Sequence, residues 1–434
     1  MKEMKWKYTA GFVLLALTCM LGVQAKAESD QQYIVYLKQR TSLFSVDSEE
    51  QGKRYTVMDE KELAECISSG MVEFYEPDYE IELFDNSQNA NESNLLDQWS
   101  LEMIDAEASL KIGCSGQDIR IAVIDSGISM HDDLSTNIVE GYNYLYSSKD
   151  VTDNIGHGTF VSGLISAELN EFGIQGVVPK AKIIPLKCFD TGTTTKVSMI
   201  KDAIYDAVDK YNVDIINMSF GLTQYSVTLE NAINYAINNG VIVIAAVGNA
   251  GTDTIYYPAG FSNVIGIGAV DSNGSVSSFS QNNDSVFVVA PGEGVTSTTN
   301  ANGYTTKNGT SFSTPIVTGV VAIMKNINGS ISTEDVMEIL KETSMDKGIE
   351  GFDTSYGYGI VNVNNIIEFM LRDIDYFISP FDVGTNGMSV VVYNNTDESL
   401  SATLFINNYN KSALCDFEWV PINIDSKQAV STQV

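Results

Sequence analysis

Histidine is scarce in this sequence: only two, His131 and His157, occur among 434 residues. Because imidazole is the side chain whose ordinary pKa lies nearest neutrality, this shortage leaves few candidates for a neutral-pH base. Lysine and arginine number 25 against 56 aspartates and glutamates, which gives a formal net charge of −31. That sign argues against nucleic acid and anionic membrane surfaces as partners. It indicates a solvated exterior, with attraction to cationic substrates or divalent cations as the alternative.

Cysteines are few, and long apolar runs are lacking. After Cys19, the remaining cysteines stand far apart and show no metal-binding spacing: Cys66, Cys114, Cys188 and Cys415. Four such residues allow three full disulfide connectivities, among which the sequence does not choose. The most apolar run, from about Ala10 to Val23, is too short for a membrane-spanning helix. It follows three lysines and precedes Ala25-Lys26-Ala27, the pattern of a secretory signal. We therefore predict a signal peptide at residues 1–27, no stable membrane span, and a secreted, extracellular protein.

The hydrophobic pattern divides the rest of the chain into three parts. Residues 28–95 combine strands with a short helix in a small α+β unit, and end in an Asn/Ser-rich linker. Residues 96–370 alternate apolar strands with amphipathic helices, which is typical of a parallel sheet covered on both faces. Residues 371–434 alternate apolar and polar positions, which predicts a small β-rich appendage. The predicted fold class is α/β, a three-layer sandwich with a mostly parallel sheet. Its strands are predicted at 119–124, 183–188, 213–218, 241–247, 264–269 and 286–290.

Two of the three chemical motifs supply an acid and a base. Asp125 follows the buried strand 119–124, at the carboxyl end where open α/β sheets place their sites. An aspartate there could simply cap the next turn, or it could hold an imidazole. His157 lies between two glycines, just before an apolar helical pattern, and we predict that it is the base. His131 is the alternative base.

The third motif supplies a nucleophile. Ser311 stands after a glycine and shortly before Pro315, which suits a first helical turn. A serine at a helix N-terminus has nearby N–H groups that favour a developing negative charge. Asn249 follows the strand 241–247 between glycines, and it is either a turn residue or a donor to an oxyanion beside the Ser311 N–H.

Taken together, these motifs resemble the subtilisin-like serine proteases, the subtilase family or peptidase S8, over about residues 97–370. The resemblance implies a serine-type endopeptidase that acts through an acyl-enzyme and needs no cofactor for catalysis. In it Asp125 orients His157, His157 transfers protons, Ser311 attacks the peptide carbonyl, and Asn249 with the Ser311 N–H binds the oxyanion. We expect protein or peptide substrates and a monomeric enzyme.

The resemblance also implies roles outside the triad. Ser219, Phe220 and Gly221 would form an edge along which an extended substrate pairs through its backbone. A structural calcium ion would use Asp133 and Asn170; the alternative is an ordinary acidic surface loop.

By the same resemblance, residues 28–95 would be an inhibitory propeptide, which makes the chain a self-processed zymogen with its own intramolecular inhibitor. We expect this propeptide to be cut off between about Asn86 and Asp97. Two departures from the family's usual pattern, Phe160 and Phe312-Ser313, remove no catalytic atom and bear on the shape of the substrate pockets.

Three rival functions are distinguishable. A non-catalytic, subtilase-like binding module would lack part of the triad, whereas every part is present. An esterase would carry a Gly-x-Ser-x-Gly motif and would have its serine before the aspartate and the histidine in chain order. Neither feature occurs in this sequence. Within proteases, a broad scavenger of extracellular protein competes with a dedicated peptidase that processes one secreted precursor.

Overall fold

The computed structural model describes residues 31–38, 55–84 and 98–372 with their side chains. Beyond them it describes the backbone of five strands near the C-terminus. The predicted signal peptide and the linker around residues 86–95 lie outside the described residues. The chain separates into two compact units, Met1–Asp78 and Tyr79–Val434.

In the first unit, the helix α1 (Glu60–Ser68) accompanies a three-stranded antiparallel sheet, in which β1 (Gln32–Leu37) lies between β2 (Tyr55–Asp59) and β3 (Val72–Pro77). Asp59 and Glu62 begin the helix with a reciprocal capping box, each side chain accepting from the other residue's backbone N–H. Val35, Met58 and Leu63 belong to its small buried core.

The second unit is built around a parallel sheet. Its strands are β4 (Glu80–Leu83), β5 (Arg120–Asp125), β6 (Tyr142–Asn143), β7 (Lys182–Lys187), β8 (Thr194–Lys196), β9 (Ile215–Met218), β10 (Phe220–Gly221), β11 (Ile242–Ala246), β12 (Ile265–Val270), β13 (Val288–Pro291), β14 (Glu293–Thr298) and β15 (Tyr304–Asn308). Its helices are α2 (Trp99–Met103), α3 (Glu107–Lys111), α4 (His157–Ser166), α5 (Val197–Asp209), α6 (Val227–Asn238), α7 (Thr310–Ile327), α8 (Thr333–Thr343) and α9 (Val363–Leu371).

Seven of these strands pair in the order β13-β12-β11-β9-β5-β7-β6, with every pair parallel. β9, β11 and β12 are buried at every position, as continuous apolar strands covered on both faces should be. This confirms the predicted α/β class, and each predicted central strand lies within a few residues of an observed one. Because parallel strands end at the same sheet edge, Asp125 and the residues after β11 are brought together there.

A second, smaller sheet of order β10-β4-β8 differs from the prediction. The sequence analysis places residues 79–84 in the segment 28–95, whereas in the structure they belong to the second compact unit. The physical reason is pairing: β4 forms antiparallel ladders with β10 on one side and β8 on the other, and Ile81 and Leu83 are buried.

Near the C-terminus the described strands are β16 (Ile374–Ile378), β17 (Ser389–Asn394), β18 (Leu400–Asn410), β19 (Ala413–Ile424) and β20 (Ala429–Gln433). They pair antiparallel as β16-β17-β20 and β18-β19, which agrees with the predicted β-rich appendage. Among the described residues, no helix is both long and apolar enough to cross a membrane.

Candidate active site

Asp125 and His157 form a buried pair. Asp125 is the last residue of β5 and His157 the first of α4, and neither is exposed. His157 Nδ1 lies 2.9 Å and 3.0 Å from the two carboxylate oxygens of Asp125, and the Ser126 N–H donates to the same carboxylate at 2.7 Å. A carboxylate only accepts, so Nδ1 carries the hydrogen and Nε2 is left as an acceptor. Nε2 has no hydrogen-bond partner among the described residues.

Gly158 permits this close approach. A Cβ at that position would lie 2.1 Å from the Gly127 carbonyl oxygen, a distance that real side chains do not adopt. Gly156, with φ +88°, provides the left-handed turn that enters α4. Both glycines that flank His157 are therefore required, Gly156 by its positive φ and Gly158 by the nearby Gly127 carbonyl oxygen.

Asp153, which the sequence analysis missed, anchors the start of α4. Its buried carboxylate accepts from the N–H groups of Ile155, Gly156 and Thr159, from Thr159 Oγ1, and from Ser126 Oγ, at 2.7 to 3.0 Å. It thereby satisfies helix N–H groups that have no partner within the helix. The signal available in the sequence was an aspartate just before a predicted helix start.

Ser311 lies in the first turn of α7 and is fully buried. Its hydroxyl donates to the Phe84 carbonyl at 2.8 Å and lies 3.0 Å from the Ser219 carbonyl. The side chain thus points at a backbone carbonyl of the same chain and makes no hydrogen bond to His157. The Phe312 ring packs against the imidazole, with 5.4 Å between the ring centres.

Asn249 reaches the same carbonyl. Its Nδ2 donates to Phe84 O at 3.2 Å, while its Oδ1 accepts from the N–H and the hydroxyl of Thr310, both at 2.8 Å. The two bonds from Thr310 fix which way the amide faces. The Ser311 N–H, the other predicted oxyanion donor, belongs to the first helical turn and has no intrahelical acceptor.

The predicted substrate edge is occupied by β4. Phe220 pairs with Leu83, Gly221 pairs with Glu82, and Ser219 O accepts from the Phe84 N–H at 3.3 Å. Ser219 Oγ also donates to the Ser311 carbonyl at 3.0 Å, which ties this edge to the nucleophile.

β8 forms the opposite edge, which the sequence analysis missed. Thr194, Thr195 and Lys196 pair with Glu82, Ile81 and Glu80. The run of threonines after Gly192 was the available signal, because threonine favours strands.

His131 does not reach this site. Its Nδ1 accepts from the Asp133 N–H at 3.1 Å and its Nε2 lies 3.0 Å from the Gly303 carbonyl, so backbone groups use both ring nitrogens. It therefore does not serve as the alternative base.

A buried lysine lies beside Asp125. Lys187 is paired with Asp125 across β5 and β7, and its ammonium donates to the Ser126 carbonyl at 2.7 Å and lies 3.1 Å from Asp190. Hydrogen bonds from the Asn154 amide and the Tyr146 hydroxyl, together with this ammonium, lower the pKa of Asp190 to about 2. The Lys187 charge is thus compensated without using the Asp125 carboxylate.

Asp133 and Asn170, the predicted calcium ligands, lie in contact. Asn170 Nδ2 donates to the Asp133 carboxylate at 2.8 Å, and the Ile174 N–H and the Tyr304 hydroxyl also donate to it. Three donors thus occupy the Asp133 carboxylate, and the pair as arranged does not fit a cation. No group of three or more metal-binding side chains occurs within the part of the chain that the structure describes.

Three cysteines, Cys66, Cys114 and Cys188, are free and buried. Burial raises the pKa of the Cys114 and Cys188 thiols, so neither is a reactive thiolate. Cys415 has no described side chain.

Comparison with known proteins independently supports the resemblance to the subtilase family. Residues 116–359 match the sequence profile of peptidase S8, the subtilase family. The chain is 36% identical over 277 residues to the minor extracellular protease Epr of Bacillus subtilis (strain 168), which covers 63% of this chain and 42% of that protein. It is 38% identical over 264 residues to M-protease of Shouchella clausii (strain KSM-K16), covering 61% of this chain and 68% of the relative. It is 37% identical to Subtilisin Savinase of Lederbergia lenta, covering 61% of this chain and 96% of the relative. The chain therefore belongs to the subtilase family, the S8 family of serine-type endopeptidases.

Proposed function

We propose that this chain is a secreted serine endopeptidase, made as a zymogen that processes itself through Asp125, His157 and Ser311. The observation that carries the proposal is the position of the Phe84 carbonyl. One of its contacts is the Ser311 hydroxyl and the other is the Asn249 amide. A nucleophile and an amide donor that meet on one peptide carbonyl have the arrangement needed for acyl transfer.

In the first step, His157 acts as a base. Its Nδ1–H is held by Asp125 at 2.9 Å, which leaves Nε2 to accept the Ser311 proton once the hydroxyl turns toward the ring. The serine oxygen then bonds to the carbonyl carbon, and the carbonyl oxygen takes the negative charge. Asn249 Nδ2 and the Ser311 N–H stabilise that charge.

In the second step, the protonated imidazole gives its proton to the leaving amine, the peptide C–N bond breaks, and an ester to Ser311 remains. Water, deprotonated by His157, attacks the ester and releases the acid, which restores the hydroxyl. Asp125 stays ionised throughout and stabilises the imidazolium. Its burial and its bond from the Ser126 N–H support this role, since both fix the carboxylate in place.

Self-processing is supported by the chain that occupies the substrate edge. Residues 80–84 belong to the sequence N-terminal to the family domain, yet they lie between β8 and β10 and end at Ser311. A segment that fills the site also blocks it, so the same contact accounts for inhibition before release. Secretion is supported by the composition of residues 1–27.

The test is serine-directed labelling of the purified wild-type chain after it has processed itself, and of Ser311→Ala treated in the same way. We expect a fluorophosphonate to label the wild type, and we expect Ser311→Ala to stay unlabelled and unprocessed. Thr314→Ala is the matched control, because it removes another buried hydroxyl of α7 that bonds within its own helix. Labelling or cleavage that persists in Ser311→Ala would overturn the proposal.

The structural calcium ion remains an untested prediction. With three donors on the Asp133 carboxylate, binding would require the Asn170 amide to turn away. Thermal unfolding of Ser311→Ala with and without a chelator decides the matter, since a bound structural ion raises the melting temperature. An unchanged melting temperature would count against the ion.

A further inference from the structure

Phe84 marks the point where the chain's own backbone meets the reacting groups. Its carbonyl oxygen contacts Ser311 Oγ and Asn249 Nδ2, and its N–H donates to the Ser219 carbonyl. A carbonyl oxygen that contacts both a nucleophilic hydroxyl and an amide donor is placed as expected for the carbonyl of the bond to be cut.

We propose, building on the protease function above, that the bond this enzyme cuts in itself is Phe84–Asp85. The substrate class that follows is a peptide with an aromatic residue directly before the cut. This places the cut ahead of the range Asn86 to Asp97 that the linker composition suggested.

The surroundings of the Phe84 ring support an aromatic preference. The side chain is only 7% exposed, and its ring meets the Tyr256 ring edge-on, with centres 5.2 Å apart. A Cβ added to Gly221 would lie 2.6 Å from the Phe84 ring carbon Cζ. Gly221 therefore leaves the space that the ring fills, and Tyr256 provides an apolar wall.

The residues before Phe84 extend the preference. Ile81 and Leu83 are fully or almost fully buried, whereas Glu80 and Glu82 are exposed. The antiparallel pairing on both sides of β4 fixes this alternation, because successive side chains of a strand point to opposite faces. We therefore expect apolar side chains to be favoured one and three residues before the aromatic one.

The bond is tested by the products of self-processing in the full chain. At the earliest time points, the intact mass of the released N-terminal fragment should correspond to a fragment that ends at Phe84. Phe84→Gly should slow processing at least tenfold, because the pocket then holds no side chain. Asn86→Gly, its control within the linker, should process at the wild-type rate. A fragment ending between residues 86 and 97, or slowing by Asn86→Gly alone, would refute the assignment.

The substrate class is tested with four-residue p-nitroanilides that copy residues 81–84. Mature enzyme should cleave Ile-Glu-Leu-Phe-p-nitroanilide with a kcat/KM at least tenfold above the Ala, Lys and Asp versions of the last residue. The Gly221→Ala variant should cleave the Ala version with a higher kcat/KM than the Phe version. Equal rates for all four peptides would overturn the aromatic preference, and would do so without affecting fluorophosphonate labelling, which reports on the protease function itself.

Discussion

Replacing Asp153 by alanine should cost far more stability than its sequence position suggests. The carboxylate accepts five hydrogen bonds, three of them from the backbone N–H groups of Ile155, Gly156 and Thr159. The two hydroxyl donors can rotate to other acceptors, but the three N–H groups cannot. A buried donor left unsatisfied costs about 1–3 kcal/mol, and water that enters the space of the lost carboxylate recovers part of that. We therefore expect a loss of about 3 kcal/mol, a large part of the roughly 5–15 kcal/mol that stabilises a domain.

The measurement is urea unfolding in the Ser311→Ala background, where proteolysis of unfolded chain cannot distort the transition. Asp150→Ala is the matched control, since Asp150 also accepts from a neighbouring threonine, Thr152, but is exposed. Its effect should lie within experimental error. In the active background, Asp153→Ala should also lower kcat, because the start of α4 carries His157. A loss below about 1 kcal/mol, or a loss equal to that of the control, would refute the view that this one carboxylate anchors the helix.

The remaining predictions concern the triad, the oxyanion site and acid stability. His157→Ala should abolish peptide hydrolysis and self-processing, whereas His131→Ala should keep triad chemistry; an active His157→Ala would contradict the assignment of the base. Asn249→Ala should lower kcat by about 10²–10³ with little change in KM, a figure established on the equivalent amide of subtilisin and carried over from it; an unchanged kcat would exclude the amide as an oxyanion donor. Asp190→Asn should be less stable than the wild type at neutral pH. Because the folded-state pKa of Asp190 is about 2, below the ordinary value of about 3.9, its contribution is full above about pH 4 and is lost as the pH falls through 2. The melting temperatures of the wild type and of Asp190→Asn should converge at the acid end of this range. A difference between them that stays constant with pH would refute the explanation.

Much of the fold of the catalytic domain could be predicted, because the sequence patterns that indicate its strands are local. The strands β5, β9 and β11 are predominantly apolar, which is typical of a sheet covered on both faces. Asp125 and Asn249 follow two of those strands, and a parallel sheet brings strand ends to one edge. The small number of histidines narrowed the choice of base, whereas Asp125 and Ser311 were predicted from their motifs and from the family resemblance.

The small β10-β4-β8 sheet could not be predicted in the same way. β4 is four residues long and β10 only two, and segments this short carry no reliable period. Their pairing depends on contacts between residues about 140 positions apart, such as Leu83 with Phe220. The unit boundary was therefore set at the linker by composition, whereas the structure sets it at Asp78.

By itself, the sequence determined the α/β class, and it predicted the acid, the base, the nucleophile and the amide donor, because strand ends and glycine-led motifs are local patterns. Only the tertiary structure decided that Asp153 anchors the base, that backbone groups occupy both nitrogens of His131, and that Phe84 presents its carbonyl to Ser311. Each of these depends on which distant donors and acceptors fold into contact, and hydrogen bonds of 2.7 to 3.2 Å are too short-ranged for a linear pattern to specify.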